Sequence, residues 1–159
     1  MILGELESGR ERLGALFGDR FLPVVVPPWN RIDRALLPAL PASGFCGLST
    51  FGPCGPAVPA EGIVEINVHF EPISWRGGPH FAGAESVLAA LVSALRARRT
   101  GAADPEEPIG LLTHHANMDD QSWALVEELI TFTASHEAAQ WLSPGEMFRT
   151  RPRTAGASG

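Results

Sequence analysis

The chain of 159 residues is long enough for one domain with its own hydrophobic core. A hydrophobic content of 45% and a charged content of 19% are ordinary for a globular protein and exclude extensive disorder. The net charge of −6 argues against a nucleic-acid partner, because binding to phosphate depends on clustered Lys and Arg. No apolar run reaches the length of a membrane span, and Cys46 and Cys54 match no zinc or redox spacing. We therefore expect a cytoplasmic protein with reduced thiols and no membrane association.

The first half of the chain predicts a helix, a strand, a short helix and two more strands. Residues 3–17 place their leucines on one helical face, and the β-branched run FLPVVV (21–26) is typical of a strand buried on both faces. Asp33 can cap a short helix over 34–41. The segments FCGLSTF (45–51) and GIVEINVHF (62–70) predict the second and third strands.

The second half continues the alternation of helices and strands. We expect PISWRGGPHF (72–81) to be an irregular loop and residues 83–99 to form an amphipathic helix. PIGLLTH (108–114) predicts a fourth strand, and Asp119 or Asp120 opens a last helix that runs through Phe132. This order indicates an α/β fold of about four mainly parallel strands with outer helices, in which chemistry gathers at the carboxyl ends of the strands.

Two adjacent histidines, His114 and His115, end the fourth predicted strand. Successive residues of a strand point to opposite faces, so only one of them is expected to face a site. One imidazole can serve as a general acid or base, because it titrates near neutral pH. The alternatives are a structural capping histidine, or a small metal site in which His69 joins the pair.

Two loops display aromatic and polar side chains. Pro27 and Pro28 stiffen the loop that presents Trp29, with Asn30 and Arg31 beside it as hydrogen-bond donors. Asn67, His69 and Glu71 alternate on one face of the third strand, before Trp75 in the next loop. We interpret five acidic residues as solvated charges: Glu61, Glu65, Asp104, Glu106 and Glu107.

Three motifs, in order, resemble the last three motifs of the NodB-like polysaccharide deacetylases, in a divergent bacterial branch. They are PPWNRI, NVHFEPISW and GLLTHH, and the resemblance covers residues 2 to 142. It implies a partial, distorted (β/α) barrel over 1–142, followed by a short terminal segment and a disordered tail over 143–159. It also implies hydrolysis of N-acetyl groups on amino-sugar glycans, assisted by zinc or another divalent metal held by one Asp and two His.

By position, the resemblance makes His114 the acid histidine and places Trp29 and Trp75 as aromatic walls of the substrate groove. Glu71 and Ser74 stand where carboxylates that tune the acid histidine are expected. Asn30, Arg31, His69 and His115 are the remaining substrate-binding candidates; Arg31 stands in for an arginine that the motif has elsewhere, and the role of His115 stays open.

Two departures of this sequence from the family's motifs bear on its expected activity. The family's first two motifs, an Asp-Asp pair after the first strand and a His-x3-His, occur nowhere in the chain. We therefore expect the chain to be the C-terminal part of a barrel, to bind no metal by itself and to be inactive alone, so that its standing as an enzyme is open. An exposed sheet edge would favour self-association. The alternative is a non-catalytic carbohydrate-binding or regulatory remnant.

Overall fold

The computed structural model describes residues 2–55 and 60–150, which form helices and short strands in two compact units. The first unit contains the described residues of Met1–Thr50, Cys54–Asn67 and Ser143–Gly159, and the second those of Phe51–Pro53 and Val68–Leu142. Residues 151–159 of the predicted tail lie outside the described residues. The elements are α1 (Ile2–Phe17), β1 (Val24–Val25), β2 (Gly47–Leu48), β3 (Val64–Glu65), β4 (Val68–Phe70), β5 (Ile73–Ser74), β6 (His80–Phe81), α2 (Ala84–Thr100), β7 (Gly110–Leu111), α3 (Asp120–Ala134) and α4 (Pro144–Thr150).

The first unit is built on a parallel sheet in the order β1-β2-β3. Its core lies on the face that carries Val25 and Leu48, and partly buried side chains of α1 pack against it. A short 3-10 helix, Arg34–Ala39, contributes the buried Leu37. The predicted cap is confirmed, since Asp33 accepts a hydrogen bond from the backbone N–H of Ala35.

A side chain of α4 packs on the opposite face of this sheet, at the central strand β2. A Cβ added at Gly47 would lie 2.5 Å from Cδ1 of Phe148 and 3.0 Å from Cγ2 of Val24. The phenyl ring of α4 therefore rests directly on the backbone of β2, at a point where only glycine leaves room. The central strand of this sheet is covered on both faces.

The second unit is built on a parallel pair, β4 and β7, with a register irregularity between Val68 and Phe70. Its core contains Phe70, Val87, Leu125 and Leu129, which come from β4, α2 and α3. The predicted helix over 83–99 is confirmed as α2, which ends at Gly101 in the left-handed conformation (φ 75°) that favours glycine.

The segment PISWRGGPHF, expected to be an irregular loop, instead contains an antiparallel hairpin of β5 and β6. Gly77 and Gly78, with φ of 77° and 109°, supply the backbone conformations that its turn requires. The sequence did not indicate this hairpin because the strands have two residues each, too few for a visible alternation.

The third predicted strand, 62–70, is wrong as a single element. It is divided into β3 and β4, which belong to different sheets. The other predicted strands exist but are shorter than their apolar runs. A mixed fold of helices and strands with small parallel sheets is confirmed. Instead of about four strands, the described residues form seven short strands in three sheets, and none of these sheets closes into a barrel.

The Asp119-Asp120 pair begins α3, as expected. Asp119 is the N-cap: its Oδ1 accepts bonds from the backbone N–H and the hydroxyl of Ser122, at 2.8 and 2.7 Å. These bonds lower the pKa of the Asp119 carboxyl from its ordinary value.

We predict that Asp119→Ala lowers the urea midpoint at neutral pH, and that this difference from the wild type shrinks on acidification. A carboxyl with a lowered pKa in the folded state adds stability above its unfolded pKa of about 4, and this is lost as the pH falls through the folded value. Asp120→Ala, at the next residue, is the matched control. A difference that does not change between pH 7 and strong acid would contradict the role of the charged cap.

Among the helices that the structure describes, none combines the length and the apolar character needed to cross a bilayer.

Candidate functional site

Glu71 and His114 meet at the carboxyl ends of β4 and β7. The two strands run parallel with Phe70 opposite Leu111, so the residues that follow each strand emerge at the same edge. Nε2 of His114 lies 2.9 Å from Oε2 of Glu71. Both side chains are partly accessible, with 29% of His114 and 23% of Glu71 exposed. A solute can therefore reach the pair.

Trp75 is the third member of this cluster. Its indole Nε1–H donates to the same oxygen, Oε2 of Glu71, at 3.2 Å. Its ring meets the imidazole of His114 edge to face, with centroids 4.8 Å apart and planes at 86°. The hairpin explains this position, because Trp75 directly follows β5 and the chain turns back through Gly77 and Gly78.

The hydrogen bonding of this cluster defines its chemistry. An ionised carboxylate can only accept hydrogen bonds, so Nε2 of His114 carries the proton directed at Glu71. Nδ1 is then the ring nitrogen that can exchange a proton with a reactant. A carboxylate that holds an imidazole in one tautomer is the arrangement used by histidine acids and bases in catalysis.

His69 lies in a different environment, although it was predicted beside Glu71 on one strand face. The backbone N–H of Gly110 donates to its Nδ1 at 3.2 Å, and its Nε2 lies 3.5 Å from Oε1 of Glu107. Both side chains are almost fully buried, with 9% of His69 and 6% of Glu107 exposed. The pair lines a groove of about 350 Å³, whose walls include Phe51, Pro53 and alanines of α2.

The substrate-binding candidates of the first unit lie in the turn that follows β1. Trp29 and Asn30 both have left-handed backbones, with φ of 58° and 55°. For a bulky side chain such as tryptophan this conformation costs about 1–2 kcal/mol. The turn is closed by bonds from Asn30 and Arg31 N–H to the carbonyls of Pro27 and Pro28. It leaves 83% of Trp29 exposed.

Two of the five acidic residues that were interpreted as solvated charges are buried, Glu65 and Glu107. Only 2% of the Glu65 side chain is exposed, with Arg34 Nη2 at 3.4 Å from Oε2. Asn67 Nδ2 donates to Oε1 of Glu65 at 3.3 Å, while its Oδ1 accepts from the N–H and hydroxyl of Thr50. Glu65 and Asn67 alternate along the chain, which puts their side chains on the same face.

The structure thus assembles some of the predicted site residues and separates others. His114 and Trp75 share Glu71 as a hydrogen-bond partner, whereas His69 pairs with Glu107. His115 is exposed. Across residues 2–55 and 60–150, no group of three or more His, Cys, Asp or Glu side chains is placed to hold a metal ion.

Comparison of the chain with protein-family models, with curated proteins and with solved structures found no match.

Proposed function

We propose that this chain is a polysaccharide-deacetylase-like protein that carries the acid and aromatic half of a site for acetylated amino-sugar glycans. We also propose that its fold is a partial barrel of the distorted deacetylase type. One observation carries it: the Glu71–His114 pair at the adjoining carboxyl ends of two parallel strands. This contact supports the proposal, because the resemblance leads us to expect a carboxylate beside the acid histidine.

In this proposal His114 handles the proton of the leaving group. Glu71 orients the ring through Nε2 and stabilises its imidazolium form. As the tetrahedral adduct of water and the acetamide collapses, protonated His114 gives its Nδ1 proton to the amine nitrogen. The carbon–nitrogen bond breaks with its electron pair on nitrogen, and acetate and the free amine leave. Trp75, which is partly exposed beside the ring, provides an apolar surface for the sugar.

The divalent metal of the resembled family does not fit the residues that the structure describes. The sequence contains no His-x3-His, and its single Asp-Asp pair caps α3 through Asp119. The described residues offer no three-donor group, so they do not fit such an ion.

We expect an oligomer of N-acetylglucosamine to shift the indole N–H signal of Trp75 in ¹H–¹⁵N spectra, assigned with Trp75→Phe. Trp75→Ala should weaken binding about tenfold, which corresponds to about 1.4 kcal/mol. The de-acetylated oligomer is the matched ligand control, and Trp123→Ala, on α3, is the matched variant. An unchanged Trp75 signal at saturating sugar would contradict the proposal.

Incubation with the same N-acetylglucosamine oligomer tests whether the chain is active alone. We expect acetate release, with zinc added, to stay far below ordinary enzyme rates. Turnover on the order of 1 per second would contradict this expectation.

A second candidate function is carbohydrate binding without catalysis. The observation that favours it is the display of Trp29, which is largely exposed on a turn of two successive left-handed residues. Conformations of this cost persist where the surrounding structure imposes them, and they concentrate at binding sites. Loss of sugar binding in Trp29→Ala, with binding retained in Trp75→Ala and His114→Ala, would favour this function over the first.

A further inference from the structure

The Oε2 atom of Glu71 accepts two hydrogen bonds, one from His114 Nε2–H at 2.9 Å and one from Trp75 Nε1–H at 3.2 Å. We propose that Trp75 is a positioning residue for His114: it holds the Glu71 carboxylate in the orientation that fixes the imidazole. This inference deepens the proposed function and rests on it for its meaning in catalysis. The contacts that support it are independent of any sugar.

The need for a second donor follows from the exposure of the carboxylate. Glu71 has a flexible side chain, and 23% of it is accessible to water. With His114 as its only partner, the carboxylate could follow rotation of the imidazole or turn toward solvent. A second donor restricts that freedom, because Oε2 must then accept hydrogen bonds from two directions at once.

The indole of Trp75 is well placed to be that second donor. Trp75 directly follows β5, where Ser74 pairs with His80 across the hairpin. Its ring also touches the imidazole edge to face, at a centroid separation of 4.8 Å. Trp75 therefore contacts both members of the pair, one through the indole N–H and the other through the ring.

Phenylalanine separates the two roles that Trp75 could have. If Trp75 served only as a wall for the sugar, Trp75→Phe would keep an aromatic face and leave His114 undisturbed. If it positions Glu71, the loss of the N–H alone should loosen the Glu71–His114 bond. The experiment thus follows the His114 Nε2–H proton in the full chain, without any sugar present.

We expect Trp75→Phe to make solvent exchange of that proton about fivefold faster, the effect of weakening one hydrogen bond. Glu71→Gln, which removes the charged acceptor, should act in the same direction. Trp123→Phe, which removes an indole N–H elsewhere in the second unit, is the matched control and should have no effect. Unchanged exchange in Trp75→Phe would overturn the proposal.

A second measurement covers the case in which Trp75→Phe does not fold. In Glu71→Ala, the indole N–H signal of Trp75 should move and its exchange with solvent should become faster, while the Trp123 signal stays in place. An unmoved Trp75 signal would overturn the proposal. If the chain does not bind N-acetyl sugars, the proposed function fails, but both measurements above are made without sugar and keep their outcomes. Failure of the proposed function and failure of this inference are therefore distinguishable.

Discussion

Glu107→Ala is expected to lower the free energy of unfolding by about 2 kcal/mol, the usual effect of removing one member of a buried polar pair. The carboxylate faces Nε2 of His69 at 3.5 Å, and both side chains are almost fully buried. Because the Gly110 N–H donates to Nδ1, that ring nitrogen carries no proton and Nε2 must carry it. The Nε2–H of a neutral ring that already accepts a bond from β7 therefore faces the Glu107 carboxylate.

The size of this effect should depend on the acceptor and not on the volume of the side chain. Glu107→Gln keeps an oxygen that can accept from Nε2, and we expect it to cost only about 1 kcal/mol. Glu106→Ala, at the exposed neighbouring residue, should change stability by less than about 0.5 kcal/mol. Urea titration of the three variants checks these values. Equal losses in Glu107→Ala and Glu107→Gln would contradict the role given to the acceptor oxygen.

Gly47→Ala is the second substitution with a large expected effect, a loss of about 2–3 kcal/mol through overpacking. The added methyl would lie 2.5 Å from Cδ1 and 2.8 Å from Cε1 of Phe148, far inside van der Waals contact. The Phe148 ring must move, and the packing of α4 on β2 must change with it. Gly9→Ala is the control, because a Cβ at that residue of α1 meets nothing within 4 Å. It should stabilise the chain by up to about 1 kcal/mol.

A double-mutant cycle isolates the contact between the methyl and the ring. Phe148→Ala removes the ring, so Gly47→Ala in that background should cost less than about 1 kcal/mol, leaving only the crowding against Val24. Urea midpoints of the four chains give the coupling energy. Additive losses would mean that Phe148 does not set the space at Gly47.

The meeting of Glu71 with His114 followed from features that the sequence displays. Two apolar runs predicted parallel strands, and each run was followed by a polar side chain able to move protons. Parallel strands bring such residues to one edge whatever their separation along the chain. The cap at Asp119 was also predictable, because a carboxyl before an amphipathic segment satisfies the first free N–H groups of a helix.

Burial of the acidic residues could not be predicted, because it depends on partners distant in sequence. Glu107 stands in the acidic stretch DPEEP, whose composition is that of an exposed turn, and only the fold brings His69 to it. Glu65 likewise depends on Arg34, which is 31 positions away. Alternation indicates the face on which a side chain lies, but not which distant residue meets it.

The sequence SPGE (143–146) does contain a local signal for the start of helix α4. Ser143 and Glu146 form a capping box, in which the N–H and hydroxyl of Ser143 donate to Oε2 of Glu146 at 2.8 and 2.7 Å. These bonds lower the pKa of the Glu146 carboxyl. The sequence was interpreted there as a short terminal segment, and the spacing of Ser143 and Glu146 is the helix signal that this interpretation missed.

The two histidine–carboxylate pairs of the second unit have a consequence for the order in which it folds. The bond between His69 and Gly110 joins residues 41 positions apart, and the bond between Glu71 and His114 joins residues 43 apart. The β5–β6 hairpin and α2 lie within that span and rest on local contacts, which form in microseconds. Closing the long loop costs entropy that only the finished β4–β7 pair and its core repay. We therefore expect the Glu71–His114 contact to form late, together with the β4–β7 pair and its core.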